Sequence, residues 1–248
     1  DKNYAEVLKL LTEFHEAHLM IGHTHYPQNW IHTGYVTKSG KPIYEHVHGA
    51  ACGAWWSCNM NTNGAPNGYS LYEIEGNSIK NWVAKGTKNT VDYQMRVYDG
   101  NQIYGGSDGN PAGKYKYTWY DGGTGGSANI KAAGNSKLKG AFVAAIWNDD
   151  DTNWKVEFFQ DGKKVGDMKR VPSKITDICV ASYFFNKLNK NTTTWTTTTA
   201  QHYWYIPAPG GDPAKVKNWE VRATQTIPSS GQVNVYTCNS LQTDYSGF

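Results

Sequence analysis

Beyond the stretch Gly86-Thr87-Lys88-Asn89-Thr90 the chain shows no helical period and becomes a succession of short, alternating segments. They fall at about 92 to 98, 115 to 119, 140 to 147, 154 to 160, 163 to 170, 178 to 184, 201 to 205, 218 to 226 and 233 to 238. Turn signals such as Asp161-Gly162 and Gly122-Gly123 lie between several of them. Short strands at this spacing, with no helical period between them, predict an antiparallel β-sandwich. The 26 glycines and the 14% of aromatic residues suit tight turns between pleated segments.

The first 86 residues have a different texture. Tyr4, Val7, Leu8, Leu11 and Phe14 follow helical spacing, which predicts a helix over Tyr4 to Ala17 with Asn3 as N-cap. The apolar run Leu19-Met20-Ile21 then reads as a strand, and Gly22-His23-Thr24-His25 as the loop leaving it. Helix, strand and polar loop make an α/β layout, in which sites gather at the carboxyl ends of strands. Side chains at i and i+2 of an extended segment share a face about 6 to 7 Å apart, which is metal-ligand spacing for His23 and His25. Gly22 is expected to let the backbone turn just before them.

Ile43 to His48 alternates, putting His46 and His48 on one face as a second candidate pair. A strand histidine is more often a satisfied, half-buried side chain than a ligand. Gly49-Ala50-Ala51 predicts close approach by another backbone or a substrate. Gly68 to Ile74 and Ser78 to Val83, around Glu75-Gly76-Asn77, read as a β-hairpin. The predicted chain is therefore mainly β: residues 1–86 as the remnant of an α/β domain, and 87–248 as an antiparallel β-sandwich.

Several classes of function are disfavoured. The net charge is +3 with scattered Lys and Arg, so there is no stripe for nucleic acid. No apolar run reaches the roughly 20 residues that span a bilayer. Because Asp1 leads straight into an amphipathic segment, residue 1 is expected to be an imposed or processing boundary. Cys52, Cys58, Cys179 and Cys238 form no C-x-x-C pair, and three disulfide connectivities are open to them. A Cys52–Cys58 bridge and a pair of buried thiols are equal alternatives. Asp149-Asp150-Asp151 has calcium-binding chemistry but reads better as a solvated turn. Trp147, Trp154, Trp195, Trp204 and Trp219 are sugar-stacking candidates or core. Asn186 to Thr199 is low in complexity and reads as a loop.

Taken together, Gly22-His23-Thr24-His25, the run His48 to Ser57 and the run Gly64 to Tyr69 resemble the end of a bacterial calcineurin-like metallophosphoesterase. Tyr93 to Tyr98 and Ile146-Trp147-Asn148 look like the all-β C-terminal domain of one branch of that family. Cys58 departs from the pattern, standing where a glycine is expected. The resemblance implies a dinuclear centre of Mn, Fe or Zn, with His23 binding one divalent metal ion and His25 the other. The family's other ligands come from Asp-x-His, Gly-Asp-x-x-Asp and Gly-Asn-His-Asp or Glu motifs and a further histidine, none of which occurs in residues 1–248. The implied partner is a phosphorylated substrate of open class, and the implied location is periplasmic or secreted. The Cys52 to Ser57 loop would border the substrate cleft, with Trp55 and Trp56 as walls or as packing. The rival reading is a non-catalytic module that recognises glycan or protein through exposed aromatics.

Overall fold

The computed structural model describes residues 3–54, 58–103, 138–172, 175–188, 199–200 and 202–243. Helix α1 (Tyr4–Leu11) precedes β1 (His18–Ile21), β2 (Gln28–Val36) and β3 (Pro42–Val47), which form a small sheet in the order β1-β3-β2. Leu8 of α1 packs on Leu19 and Ile43 and is 1% exposed. The helix ends at Leu11 rather than running to Ala17, and Asn3 makes no side-chain cap bond. The reason is tertiary: the Phe14 and His15 carbonyls accept from Lys38 N and the Thr37 hydroxyl instead of bonding along a helix.

The opposite face of this sheet is covered by the hairpin β4 (Gly68–Glu75) and β5 (Ser78–Gly86), which places Trp82 and Tyr72 against Tyr44, His18 and His46. Glu75 pairs with Ser78, so the turn is the two-residue Gly76-Asn77, with Gly76 at φ 59°.

Next come β6 (Met95–Asp99), the short helix α2 (Gly100–Ile103), β7 (Ala141–Ile146), β8 (Trp154–Gln160), β9 (Lys163–Asp167), β10 (Lys169–Arg170) and β11 (Ile175–Thr176). Helix α3 (Ile178–Ser182), β12 (Thr199–Ala200), β13 (Tyr203–Pro207), β14 (Trp219–Thr226), β15 (Val233–Cys238) and β16 (Leu241–Gln242) complete the order. One sheet runs β10-β13-β7-β6-β16 and a second β15-β14-β8-β9. Their facing sides make a sandwich core around Phe142, whose ring centroid lies 4.6 Å from Phe158 and 4.8 Å from Trp219. The chain is thus mainly β with several antiparallel sheets.

Every residue of β6 and β7 is buried, because their sheet is covered on both sides. The outer cover is α3 with Ala54, Cys58 and Met60. This is where sequence and structure part: residues 178–184 form a helical segment instead of the expected strand. Asp177 is the cause. Its Oδ1 accepts from Cys179 N and Val180 N, capping a helix, while Oδ2 accepts from the hydroxyls of Tyr98 and Tyr203.

The expected strand 163–170 is broken at buried Met168, after which the chain changes sheets. β16 lies parallel to β6. The segment 115–119 and most of 186–199 lie outside the described residues. All four cysteines are free thiols. Trp147, Trp154 and Trp219 are core, at no more than 8% exposure, and so not available to stack on sugars.

Candidate functional site

β1 and β3 run parallel with Ile21 beside Val47, and His48 N donates to the Ile21 carbonyl. Both strands therefore deliver their following loops to the same end of the sheet. From β1 that loop is residues 22–27, carrying His23 and His25; from β3 it is Gly49 to Ala54. A Cβ on Gly49 would crowd the Asn61 and Pro27 side chains, so what approaches this glycine is side chain rather than the backbone or substrate expected. Ala50 N donates to the Asn61 Oδ1, tying the second loop down. Cys52, half-buried, lies in that loop; Trp55 and Trp56 lie outside the described residues. A small hollow of about 20 Å³ lined by Pro27, Gly49, Pro66, Gly68, Tyr69 and Lys85, among others, lies beside Pro27, and none of His23, His25 and Cys52 lines it.

His23 and His25 both take positive φ, 108° and 63°. Gly22, expected to be the pivot, does not, so the left-handed backbone falls on the histidines themselves. Of the four described non-glycine residues with positive φ, the other two are Asp161 and Asn218; Asn, Asp and His are the types enriched there. Left-handed backbone costs an L-residue about 1–2 kcal/mol, so a turn built this way holds its imidazoles at a cost a glycine would avoid. His23 is exposed and His25 half-buried. Among the described residues no three His, Cys, Asp or Glu side chains gather as a metal-binding group. At positive φ the turn is not the extended segment in which side chains at i and i+2 share a face, so the expected ligand spacing does not hold, and two imidazoles are in any case fewer donors than a metal centre needs.

The second histidine pair has another use. His48 Nε2 lies 2.7 Å from the Tyr72 hydroxyl. His46, 2% exposed, sits in a chain that no local sequence signal announces. Glu16 Oε2 pairs with Lys41 Nζ at 2.6 Å, and its Oε1 is 3.1 Å from His18 Nε2. His18 Nδ1 is 2.8 Å from His46 Nε2, and His46 Nδ1 is 3.2 Å from Asn29 Oδ1. Asn29 Nδ2 donates onward to the Asn148 carbonyl at 2.7 Å. Burial pushes the Glu16 pKa up, but Lys41, Ile79 N and Ser78 outweigh it and hold the carboxyl at about 2. Burial, with the charges of His18 and His48, presses His46 down to about 3. The signal available was Glu16 and His18 at i and i+2 entering β1, opposite a histidine in another strand. Only the β1–β3 pairing makes that meaningful.

The acidic run Asp149 to Asp151 is engaged with protein. Asp149 pairs with Arg170 at 2.8 Å and accepts from Trp204 Nε1, while Asp150 accepts from the Thr152 and Asn153 amides.

These features define a mainly β chain whose small mixed sheet presents a histidine turn at the carboxyl end of a parallel strand pair. Residues 45–229 match the family model described as the C terminal of calcineurin-like phosphoesterase, and the chain belongs to that family. The match covers most of the chain; His23 and His25 lie just upstream of it. No curated protein and no solved structure matches the chain. Among the described residues no helix is long and apolar enough to cross a membrane.

Proposed function

We propose that this chain is the C-terminal part of a metal-dependent phosphoesterase, in which His23 and His25 supply two imidazoles to a dinuclear centre completed by donors outside residues 1–248. The observation that carries this reading is the pair of left-handed histidines at the carboxyl end of β1, upstream of the segment that matches the family. Two potential ligands held at positive φ in one turn suit a selected geometry. A further support is the exposure of Val7, Leu10 and Phe14 on and just after α1, 43 to 67% exposed, which suits burial against more protein.

Mn, Fe or Zn in such a centre supplies an activated water and neutralises charge on the phosphoryl oxygens. The residues of this chain orient: the β1–β3 pairing sets the direction of the turn, and buried Pro27 ends it. Neutral imidazoles alone leave a dication's charge uncompensated. Residues 1–248 by themselves are therefore expected to bind manganese weakly and to hydrolyse no phosphodiester. The test is a phosphodiesterase assay on the full-length protein with added manganese, set against His25→Ala. A large loss of rate supports the reading, and equal rates end it.

A further inference from the structure

The hydrogen-bond chain through His18 and His46 has an acceptor at each end. One is the Glu16 carboxylate. The other is the Asn29 amide oxygen, whose orientation is set because Asn29 Nδ2 has to donate to the Asn148 main-chain carbonyl. Each end contact then needs a proton on histidine, one on His18 Nε2 toward Glu16 and one on His46 Nδ1 toward Asn29. The central contact, 2.8 Å between His18 Nδ1 and His46 Nε2, needs a third. The two ring planes lie within 9° of each other, which lets a proton sit in the plane of both. Two neutral imidazoles carry only two N–H protons between them.

We propose that His18 and His46 are a buried proton-binding site, holding one extra proton in common as an imidazolium–imidazole pair. That proton links β1, β3 and β2 to the turn after β7 through Asn29 and Asn148. β1 and β2 flank the two ends of the His23–His25 turn and β3 joins them, so occupancy of this site sets how firmly the turn is held. The inference stands on hydrogen-bond counting and does not require the turn to bind metal.

The surroundings accept one proton and refuse a second. From the segment before β1, Glu16 supplies the balancing negative charge, itself paired with Lys41 at the entrance to β3. From β5, Ser78 and Ile79 N bond the same carboxylate, and Trp82 sets its ring 4.9 Å from His46. From β3 and β4, Tyr44 and Tyr72 are held at about 12 by burial and stay neutral, and His48 is pressed down by burial. Beyond Asn148 stand Asp150 and Asp149, the latter paired with Arg170. On the other face of the sheet are Glu45, His32 and Tyr4. Burial disfavours charge on His18, Glu16 opposes it and Lys41 adds to it, so the pair gives up its proton on the acid side of the ordinary histidine range. When it goes, one of three contacts becomes lone pair against lone pair, and the longest, His46 to Asn29, is the one expected to open.

The test is nitrogen-15 NMR of histidine side chains in the whole chain, titrated over the pH range in which it stays folded. Three protonated ring nitrogens in the pair at the acid end and two at the alkaline end are expected, with the Asn29 and Asn148 amide resonances following the same midpoint. Two protonated nitrogens throughout, or a transition that leaves those amides unmoved, would overturn the proposal. Glu16→Gln should lower the midpoint and Lys41→Met raise it, each by about one pH unit or more. A pair that merely packs would not respond with opposite signs.

Discussion

Replacing His23 with glycine should leave a more stable fold than replacing it with alanine, although alanine is ordinarily the safer truncation. His23 is exposed, so either change removes little buried surface. At φ 108° an alanine keeps the steric cost of left-handed backbone, about 1–2 kcal/mol, while glycine removes it. Against this, glycine frees the unfolded chain by about 0.4–1 kcal/mol. The difference favours glycine by up to about 1.6 kcal/mol and by about 0.8 kcal/mol at the midpoints, which in a chain of this size corresponds to roughly 2–3 °C at the midpoint. His25, at φ 63°, should give the same order. Thr24, between them, has no positive φ and should give the reverse, with Thr24→Ala melting above Thr24→Gly. Scanning calorimetry on the six variants reads this directly. If alanine melts at or above glycine at both histidines, the claim that the turn holds them against backbone preference is wrong, and the main support for the metal reading goes with it.

Two further outcomes follow from the same geometry. His202 is buried beside Asn63, and burial, aided by the Arg170 and Arg96 charges, presses it down to about 3. Its folded-state pKa is lowered, so the stability it permits is full above about pH 6.5 and is lost as pH falls from there toward 3. The loss is on the order of 4 kcal/mol at the bottom of that window. Urea unfolding at pH 7 and pH 4.5 should show a smaller acid loss for His202→Gln than for the natural chain, and equal losses would refute the assignment. Gly64, at φ 89°, lies where a Cβ would fall inside the Asp177 carboxylate. Gly64→Ala should cost at least about 2 kcal/mol by chemical denaturation, since it strains the backbone and disturbs the α3 cap together; a near-neutral result would count against that packing.

The sandwich strands, the β4–β5 hairpin and the histidine turn were legible in residues 1–248 because each is a local pattern. Alternation over five to eight residues says which face is buried, Gly76-Asn77 supplies a two-residue turn, and two histidines bracketing Thr24 after an apolar run mark a strand end. Where partners are distant, the pattern fell silent. Ile178-Cys179-Val180 is apolar enough for strand or helix, and Asp177, held by Tyr98 and Tyr203, decides for helix. Phe14 and His15 continue a helical spacing, yet their carbonyls are taken by the 37–41 segment.

His18 and His46 are 28 positions apart and carry no shared motif. Only the parallel pairing of β1 with β3 turns two ordinary strand histidines into one hydrogen-bonded unit. Short-range sequence fixes period and turn chemistry, because those depend on neighbouring backbone angles. Which buried polar group meets which is set by strand pairing across the chain, because the free energy of a satisfied buried proton exists only once both partners are in place.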